Sequence, residues 1–197
     1  PEGTRKVILS TNIAETSVTI PGIKYVIDSG LAKVKSYNPI TGVETLNTTP
    51  IAKAQALQRS GRAGRESEGG CFRLYTEETF LQLIDSPIAE IKRADLCSVC
   101  LQLLALGVKN PLKFHFLEQP PSDLMIASLE TIYELGGMND NGELSEDGKI
   151  MATFPLSPKM TKVLILASRK GCGMQAIILM SMMSCENLFV SPKDLRK

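Results

Sequence analysis

Hydrophobic residues in the first 80 positions occur in short runs separated by turn residues, which is typical of alternating strands and helices. The segment at residues 52–58 favours the start of a helix. Four places along the chain predict strands: Val7 to Leu9, Tyr25 to Asp28, a hairpin of Val34 to Tyr37 with Val43 to Leu46, and Cys71 to Tyr75. This order predicts an α/β fold with a parallel sheet covered by helices.

After residue 85 the hydrophobic spacing becomes helical. Asp95 predicts the cap of a helix that carries an apolar face and ends near Gly107. Ser122 predicts the cap of a second helix, which Gly136 would end. A tight turn at residues 140–142 then precedes a short helix, and this succession suggests a small winged-helix-like domain.

Two more helices follow this region. Ser157-Pro158 is typical of a helix start, because Ser caps the first turn and Pro tolerates the first helical position. The spacing predicts that this helix buries Met160, Val163, Leu164 and Ala167. Met174 to Met183 predicts a further apolar helix. The fold class is therefore α/β followed by mainly α.

Composition is that of an ordinary globular protein, with 43% hydrophobic and 22% charged residues. Five scattered cysteines argue against a disulfide framework and for a reducing compartment. We expect an intracellular protein, in the nucleus, nucleolus or cytoplasm, that is neither secreted nor inserted in a membrane. The charge is segregated: the net charge is +5 over residues 1–65, −9 over residues 66–157 and +5 over residues 158–197. Two basic ends fit a polyanion-binding surface, although ordinary scatter of surface charge explains the distribution equally well.

The strongest chemical pattern is Gln58-Arg59-Ser60-Gly61-Arg62-Ala63-Gly64-Arg65. Its three arginines alternate with small residues, and its glycines let the main chain approach a ligand closely. Guanidinium groups are always charged and match phosphate oxygens. On a helix Arg62 and Arg65 would share one face and could meet one polyphosphate. The alternative is a solvated basic turn.

A second polar stretch, from Ser10 to Ile20, follows the first predicted strand. Its hydroxyl and amide groups suit contact with phosphate oxygens, which needs no recognition of bases. The same residues also suit a capped helix start. Together, in this order, the two stretches closely resemble motifs V and VI of the DEAH-box helicases of superfamily two. The resemblance extends through Cys71-Phe72-Arg73-Leu74-Tyr75-Thr76 and Phe154-Pro155-Leu156-Ser157-Pro158, so it covers essentially the whole chain.

The resemblance implies three parts. Residues 1–84 would be the C-terminal part of a second RecA-like domain, residues 85–155 a winged-helix domain, and residues 156–197 the start of a truncated ratchet-like helical domain. The protein would then be an NTP hydrolase and RNA helicase, of which this chain alone is inactive. ATP or another NTP, with Mg²⁺, would be bound mainly by a missing N-terminal RecA-like domain, since the chain lacks a phosphate-binding loop and an Asp-Glu-x-His box.

The resemblance also assigns roles to residues. Gln58 would help to place the attacking water, and Arg62 and Arg65 would be arginine fingers on the phosphates. Gly61, Ser17 and Thr19 would belong to the nucleotide site, with Ser17 coupling nucleotide state to domain movement and Thr19 lying near the ribose. The predicted RNA contacts are Thr11, Asn12 and, on the hairpin, Lys33, Lys35 and Tyr37. Pro21 replaces the Asp that the family often has, which weakens ribose recognition there.

Partners implied by the resemblance are RNA and an activator such as a glycine-rich-patch protein, with the chain acting as a monomeric motor inside a ribonucleoprotein assembly. Two alternatives stay open: a module that kept the fold but lost catalysis, and a docking platform for a basic activator on the acidic segment 66–157. No metal site is predicted. Cys97-x-x-Cys100 lacks a second ligand pair and is better explained as part of a helix core.

Overall fold

The computed structural model describes residues 3–185, which form two compact units. The first unit comprises residues up to Ala94 and the second begins at Asp95. Strands occur in the first unit, and helices dominate the second, which confirms the predicted order of α/β followed by mainly α. The three-domain division with boundaries after residues 84 and 155 stays a prediction.

The first unit contains both sheets. Strand β1 (Tyr25–Asp28) pairs in parallel with β4 (Gly70–Arg73), with Tyr25 opposite Gly70 and Asp28 opposite Arg73. This pair confirms the predicted parallel sheet. The α-helices and β-strands of the first unit are, in chain order, α1 (Ile13–Thr16), β1 (Tyr25–Asp28), β2 (Leu31–Asn38), β3 (Val43–Pro50), α2 (Lys53–Ser60), β4 (Gly70–Arg73) and α3 (Glu77–Gln82).

The predicted strand at Val7 to Leu9 is wrong. These residues have no regular secondary structure, and Val7 and Leu9 are 77% and 96% exposed. A strand needs a neighbouring strand to satisfy its main-chain groups. Within residues 3–185 none pairs with this segment, so a run of β-branched and aliphatic residues is not enough to form one.

Strands β2 and β3 form the predicted hairpin; β2 is longer than predicted at both ends, and β3 begins at Val43 as predicted but continues to Pro50. The ladder runs from Leu31 opposite Pro50 to Asn38 opposite Val43. At the turn, the Asn38 side chain accepts a hydrogen bond from the Ile40 amide at 2.9 Å. Behind the hairpin, a small core forms where these strands meet α2 and α3: Ala32, Ile51 and Ala56, with Val34, Phe80 and Leu83 against them.

The second unit is a helical assembly with an apolar core. The predicted caps of its first two helices are wrong, because Leu96 and Pro121 occupy the N-cap positions and neither helix has a side-chain cap. Asp95 still accepts a hydrogen bond from the Cys97 amide at 2.9 Å, and Ser122 is the first residue of the second helix. Gly107 and Gly136 follow these two helices with φ of +88° and +69°, as expected of helix ends. The helices are α4 (Cys97–Ala105), α5 (Ser122–Glu134), α6 (Glu146–Thr153), α7 (Pro158–Arg169) and α8 (Gly173–Met183).

Helix α7 begins as predicted, since the Ser157 side chain caps it by accepting from the Met160 amide. Its predicted buried face is right only in part. Ala167 is buried and Met160 and Leu164 are half-buried as expected, but Val163 is 44% exposed. The other buried residues of the helix are Pro158, Thr161 and Ile165. The polar Thr161 is buried without penalty because its hydroxyl donates to the Ser157 carbonyl at 3.1 Å. Apolar periodicity therefore located the helix but gave its rotation only approximately.

Candidate nucleotide and RNA site

The polar stretch from Ser10 to Ile20 forms an exposed turn around the short helix α1. Thr11 and Asn12 precede the helix and are exposed, as are Ser17 and Thr19 after it. The hydroxyls of Thr16 and Ser17 lie 3.4 Å apart. The segment therefore both begins a helix and exposes hydroxyl groups, so its two interpretations are compatible. Pro21, also exposed, has no N–H to offer a ligand.

The arginine-rich stretch begins on α2 and continues beyond it. Gln58 lies exposed in the last turn of the helix, which ends at Ser60. Gly61 keeps a helical φ of −64°, and the Arg62 amide donates to the Arg59 carbonyl at 3.1 Å. Arg62 and Arg65 therefore lie in the turns after the helix, not on a regular helix as the spacing suggested.

The two stretches meet at their ends. Arg65 Nη1 donates a hydrogen bond to Thr19 Oγ1 at 2.8 Å, across 46 positions of sequence. Beside it, the Gly22 amide donates to the Glu66 carboxylate at 2.8 Å. Both contacts are exposed, so the hydroxyl-rich turn and the arginine-rich turn form one continuous surface.

Beneath this surface lies a buried polar cluster that we call the Arg59 network. Arg59 Nε donates to the Glu15 carboxylate at 2.9 Å, and its Nη1 donates to Asp28 Oδ1 at 2.7 Å and to the Leu31 carbonyl at 3.2 Å. The other members reinforce the two acids: Gln55 donates to Glu15 at 3.1 Å, and Tyr75 donates to Asp28 at 3.0 Å.

Charges within the network shift two pKa values. Burial lowers the pKa of Arg59, but hydrogen bonds and charges from Asp28 and Glu15 raise it more, so it stands above the ordinary value. Burial and the hydrogen bond to Asp28 raise the pKa of Tyr75 to about 12. Arg59 is thus a permanent cation, and Tyr75 stays a neutral donor at physiological pH.

The network was not predicted from the sequence. Glu15 lies within a stretch predicted only to be rich in hydroxyl groups and to begin a helix, and Asp28 was predicted only as the end of a strand. The available signal was an acidic residue at the end of a buried strand, because such a carboxylate needs a partner. The three arginines of the motif also differ: among residues 3–185, Arg59 forms two ion pairs, whereas Arg62 and Arg65 form none. Arg62 Nη1 is buried and has no hydrogen-bond partner among these residues.

The predicted RNA contacts on the hairpin fall into two groups. Lys33 and Lys35 are exposed, and Lys35 makes only a long ion pair with the exposed Glu44, at 4.0 Å. Tyr37 is buried at 9% exposure, so its ring offers little face for stacking on a base. Arg93 fixes this part of β2, since its Nη1 donates to the Lys35 carbonyl at 2.7 Å and its carbonyl accepts from the Tyr37 amide.

The cysteine pair in the second unit belongs to the core, as predicted. Cys97 and Cys100 are 2% and 0% exposed. Burial raises the pKa of Cys97 to about 12 and that of Cys100 to about 11, so both remain thiols. Among the residues that the structure describes, no three His, Cys, Asp or Glu side chains cluster to hold a metal ion. No helix within residues 3–185 is both long and apolar enough to cross a membrane.

Comparison with known proteins agrees with this picture. Residues 1–67 match the helicase conserved C-terminal domain, and residues 157–197 match the ratchet-like helicase-associated domain HA2. The chain is 47% identical over 191 residues to the human probable ATP-dependent RNA helicase DHX35, covering 96% of this chain and 27% of that protein. It is 44% identical over 195 residues to the Schizosaccharomyces pombe pre-mRNA-splicing factor ATP-dependent RNA helicase prp22, covering 98% of this chain and 17% of that protein.

A solved structure that this chain resembles is also that of a helicase. The Escherichia coli DEAH/RHA helicase HrpB superposes with a TM-score of 0.88 at 32% identity, covering 96% of this chain and 24% of that one. The chain thus spans about a quarter or less of the length of the relatives it matches. The chain is therefore similar over nearly its whole length to DEAH-box helicases, and it carries sequence that matches the helicase conserved C-terminal domain and the ratchet-like helicase-associated domain.

Proposed function

We propose that the chain serves an ATP-dependent RNA helicase by supplying arginines to the phosphates of a bound nucleotide and part of the path for RNA. The nucleotide and its Mg²⁺ are held mainly by a RecA-like domain outside this chain. The relatives support the activity, since they carry the names of ATP-dependent RNA helicases. The alternative of a module that lost catalysis is less favoured, because Gln58, Arg62 and Arg65 are all present.

The observation that carries the proposal is the difference between the three arginines. Arg59 is committed to two carboxylates, whereas Arg62 and Arg65 have no carboxylate partner within residues 3–185. Protein guanidinium groups usually find an acidic partner when they are partly buried, as Arg62 is. A polyphosphate supplies the acceptors that these two lack.

The surrounding residues take supporting roles. Gln58, exposed in the last turn of α2, orients the attacking water. Ser17 responds to the state of the nucleotide, Thr19 lies near the ribose, and Gly61 leaves the main chain open to close approach. Thr19 already contacts Arg65, so a nucleotide at this surface would meet both groups together.

RNA lies against residues that carry no sequence preference. The hydroxyl of Thr11 and the amide of Asn12 suit phosphate and sugar oxygens, and Lys33 and Lys35 suit phosphates. These four residues are exposed, whereas the burial of Tyr37 makes it the weakest of the predicted contacts. The predicted activator protein and the ribonucleoprotein setting remain predictions.

The test is hydrolysis by the complete helicase carrying Arg62→Ala. Because an arginine finger stabilises charge that develops only during phosphoryl transfer, we expect kcat to fall by about 10³-fold or more while KM for ATP changes much less. The control is Lys24→Ala, which removes an exposed cation from the same unit. Unchanged turnover in Arg62→Ala would reject the proposal.

A further inference from the structure

The Arg59 network joins the three segments to which the proposed function assigns ligands. Glu15 lies in α1, beside the hydroxyl-rich turn. Asp28 ends β1, and the Leu31 carbonyl begins β2 of the hairpin. Arg59 itself lies in the last turn of α2, next to Gln58. One guanidinium group therefore binds the short helix of the hydroxyl-rich turn and the root of the hairpin, and its main chain continues directly into the arginine-rich turn.

The hydrogen bonds of Arg59 are buried and directional, so they hold the segments they join in a fixed arrangement. The side chains of Arg59, Glu15 and Asp28 are 14%, 7% and 0% exposed, so little water competes for their hydrogen bonds. Charge-assisted bonds in such surroundings are strong, and their loss leaves an unpaired charge. The planar guanidinium reaches its three acceptors in fixed directions, which the single ammonium of a lysine does not do.

The root of the hairpin is fixed by the same carboxylate. The Gly30 amide donates to Asp28 Oδ1 at 3.0 Å, and Gly30 has a φ of +74°. A Cβ on Gly30 would lie 2.6 Å from the Tyr75 ring, so the main chain passes as close to that ring as glycine allows. Displacement of the hairpin root therefore has to move Asp28, and with it Arg59.

We propose that Arg59 is a positioning residue that couples the RNA-contacting hairpin and turn to the nucleotide-contacting arginines. This inference rests on the proposed function of those surfaces. RNA bound at Thr11, Asn12 and the hairpin would move the segments that are hydrogen-bonded to Arg59. Because Arg59 lies on α2, this movement would reach Gln58 and Arg62, which lie in and just after the same helix. Coupling of this kind is reciprocal: RNA tightens nucleotide binding by the factor by which nucleotide tightens RNA binding.

The experiment measures that factor directly in the complete helicase. Fluorescence anisotropy gives the Kd for a single-stranded RNA with and without a non-hydrolysable ATP analogue, and the ratio of the two is the coupling. In Arg59→Lys we expect the ratio of the two Kd values to move toward one by a factor of about five or more, because ordinary allosteric couplings are of this size. RNA stimulation of hydrolysis should fall in parallel.

Tyr75→Phe is the second variant, in case Arg59→Lys does not fold. It removes only the hydroxyl that donates to Asp28 and leaves the ring in place, so we expect a smaller loss of coupling in a folded protein. The matched control is Lys53→Gln on the same helix. It breaks an exposed ion pair with Asp85, whose side chain is 89% exposed, and it should leave the ratio unchanged.

Two outcomes would overturn the inference. One is an unchanged ratio in folded Arg59→Lys and Tyr75→Phe proteins. The other is a uniform loss of affinity for RNA or nucleotide with the ratio preserved, which is what a merely structural role predicts. Failure of the proposed function is seen separately, as unchanged turnover in Arg62→Ala, and it does not depend on the coupling ratio.

Discussion

Buried charges lie at the centre of the first unit, whereas apolar residues form the centre of the second. In the first, Asp28 is 2% exposed and Glu15 is 7% exposed around Arg59, while apolar residues of the parallel strands, such as Ile27 and Phe72, are 71% and 59% exposed. In the second, large apolar side chains fill the centre, including Leu101, Met125 and Ile132. Its main ion cluster joins Asp147, which is itself buried at 8% exposure, to Lys162 and Arg169, whose side chains are 20% and 57% exposed.

This difference indicates that the units are built for different purposes. Apolar packing stabilises a unit through the area removed from water, with little demand on direction. A buried ion network costs desolvation energy that a set of apolar residues would avoid, so stability alone does not explain it. What the network adds is direction, since each bond fixes the relation between two segments. Directional hydrogen bonds therefore fix the relative positions of segments in the first unit, whereas apolar packing holds the helices of the second unit together.

The sharpest way to break this contrast is Asp28→Ala. It leaves Arg59 with a buried charge and removes the acceptor for Tyr75 and the Gly30 amide. Losing one partner of a buried ion pair costs about 3–5 kcal/mol. We expect a loss of that size in urea denaturation of the chain, with faster hydrogen exchange confined to peptides from the first unit.

The matched control is Asp85→Ala, which breaks the exposed ion pair with Lys53 in the same unit. Exposed pairs contribute about 0–1 kcal/mol, so this change should be close to neutral. Equal effects of the two substitutions would mean that the buried network stabilises the first unit no more than an exposed ion pair does.

Features set by neighbouring residues were predictable from sequence. Ser157 caps α7, and Gly107 and Gly136 follow helices with positive φ, because capping and helix termination depend on a few adjacent positions. The contact between the two motif stretches, at Thr19 and Arg65, agrees with placing both in one nucleotide site, although the site itself is still a prediction.

Features set by distant residues were not predictable. Arg59 and Arg62 are the same residue type three positions apart, yet within residues 3–185 only Arg59 meets carboxylates, which lie 31 and 44 positions away in sequence. The strand expected at Val7 to Leu9 failed for the same reason, because strand formation depends on a partner elsewhere. Local pattern identifies an arginine-rich site, and only the fold assigns a task to each arginine.

A smaller effect is expected from Gly148→Ala, which tests the packing of the second unit. A Cβ on Gly148 would overlap the carbonyl oxygen of Gly137, so α6 and the segment after α5 must separate. Overpacking of this kind costs about 1–3 kcal/mol. Urea denaturation should show that loss, and faster hydrogen exchange should appear in peptides from the second unit.

The neighbouring Lys149→Ala is the control for this change. Lys149 is exposed and pairs only with the exposed Glu146, so its loss should cost less than about 0.5 kcal/mol. If Gly148→Ala proved as mild as Lys149→Ala, the close approach of α6 to Gly137 would not be a constraint on the unit. If it loosened the first unit instead, the separation between a packed unit and an ion-bonded unit would not hold.

The smallest effect is the pH dependence of the ion cluster at Asp147. Hydrogen bonds from Arg169 and Lys162 lower the pKa of Asp147 below its ordinary value of 3.8. Because the folded pKa is depressed, the stability that Asp147 contributes is complete above 3.8 and is lost as pH falls through the folded pKa. Asp147→Asn should therefore flatten the fall in the urea midpoint of the second unit between about pH 5 and pH 2, while changing the midpoint near pH 7 in the destabilising direction. An equally steep acid loss in the variant would show that other carboxylates carry it. A flattened curve would place the pH response of this unit at Asp147 and its two cationic partners, with the apolar core insensitive to pH.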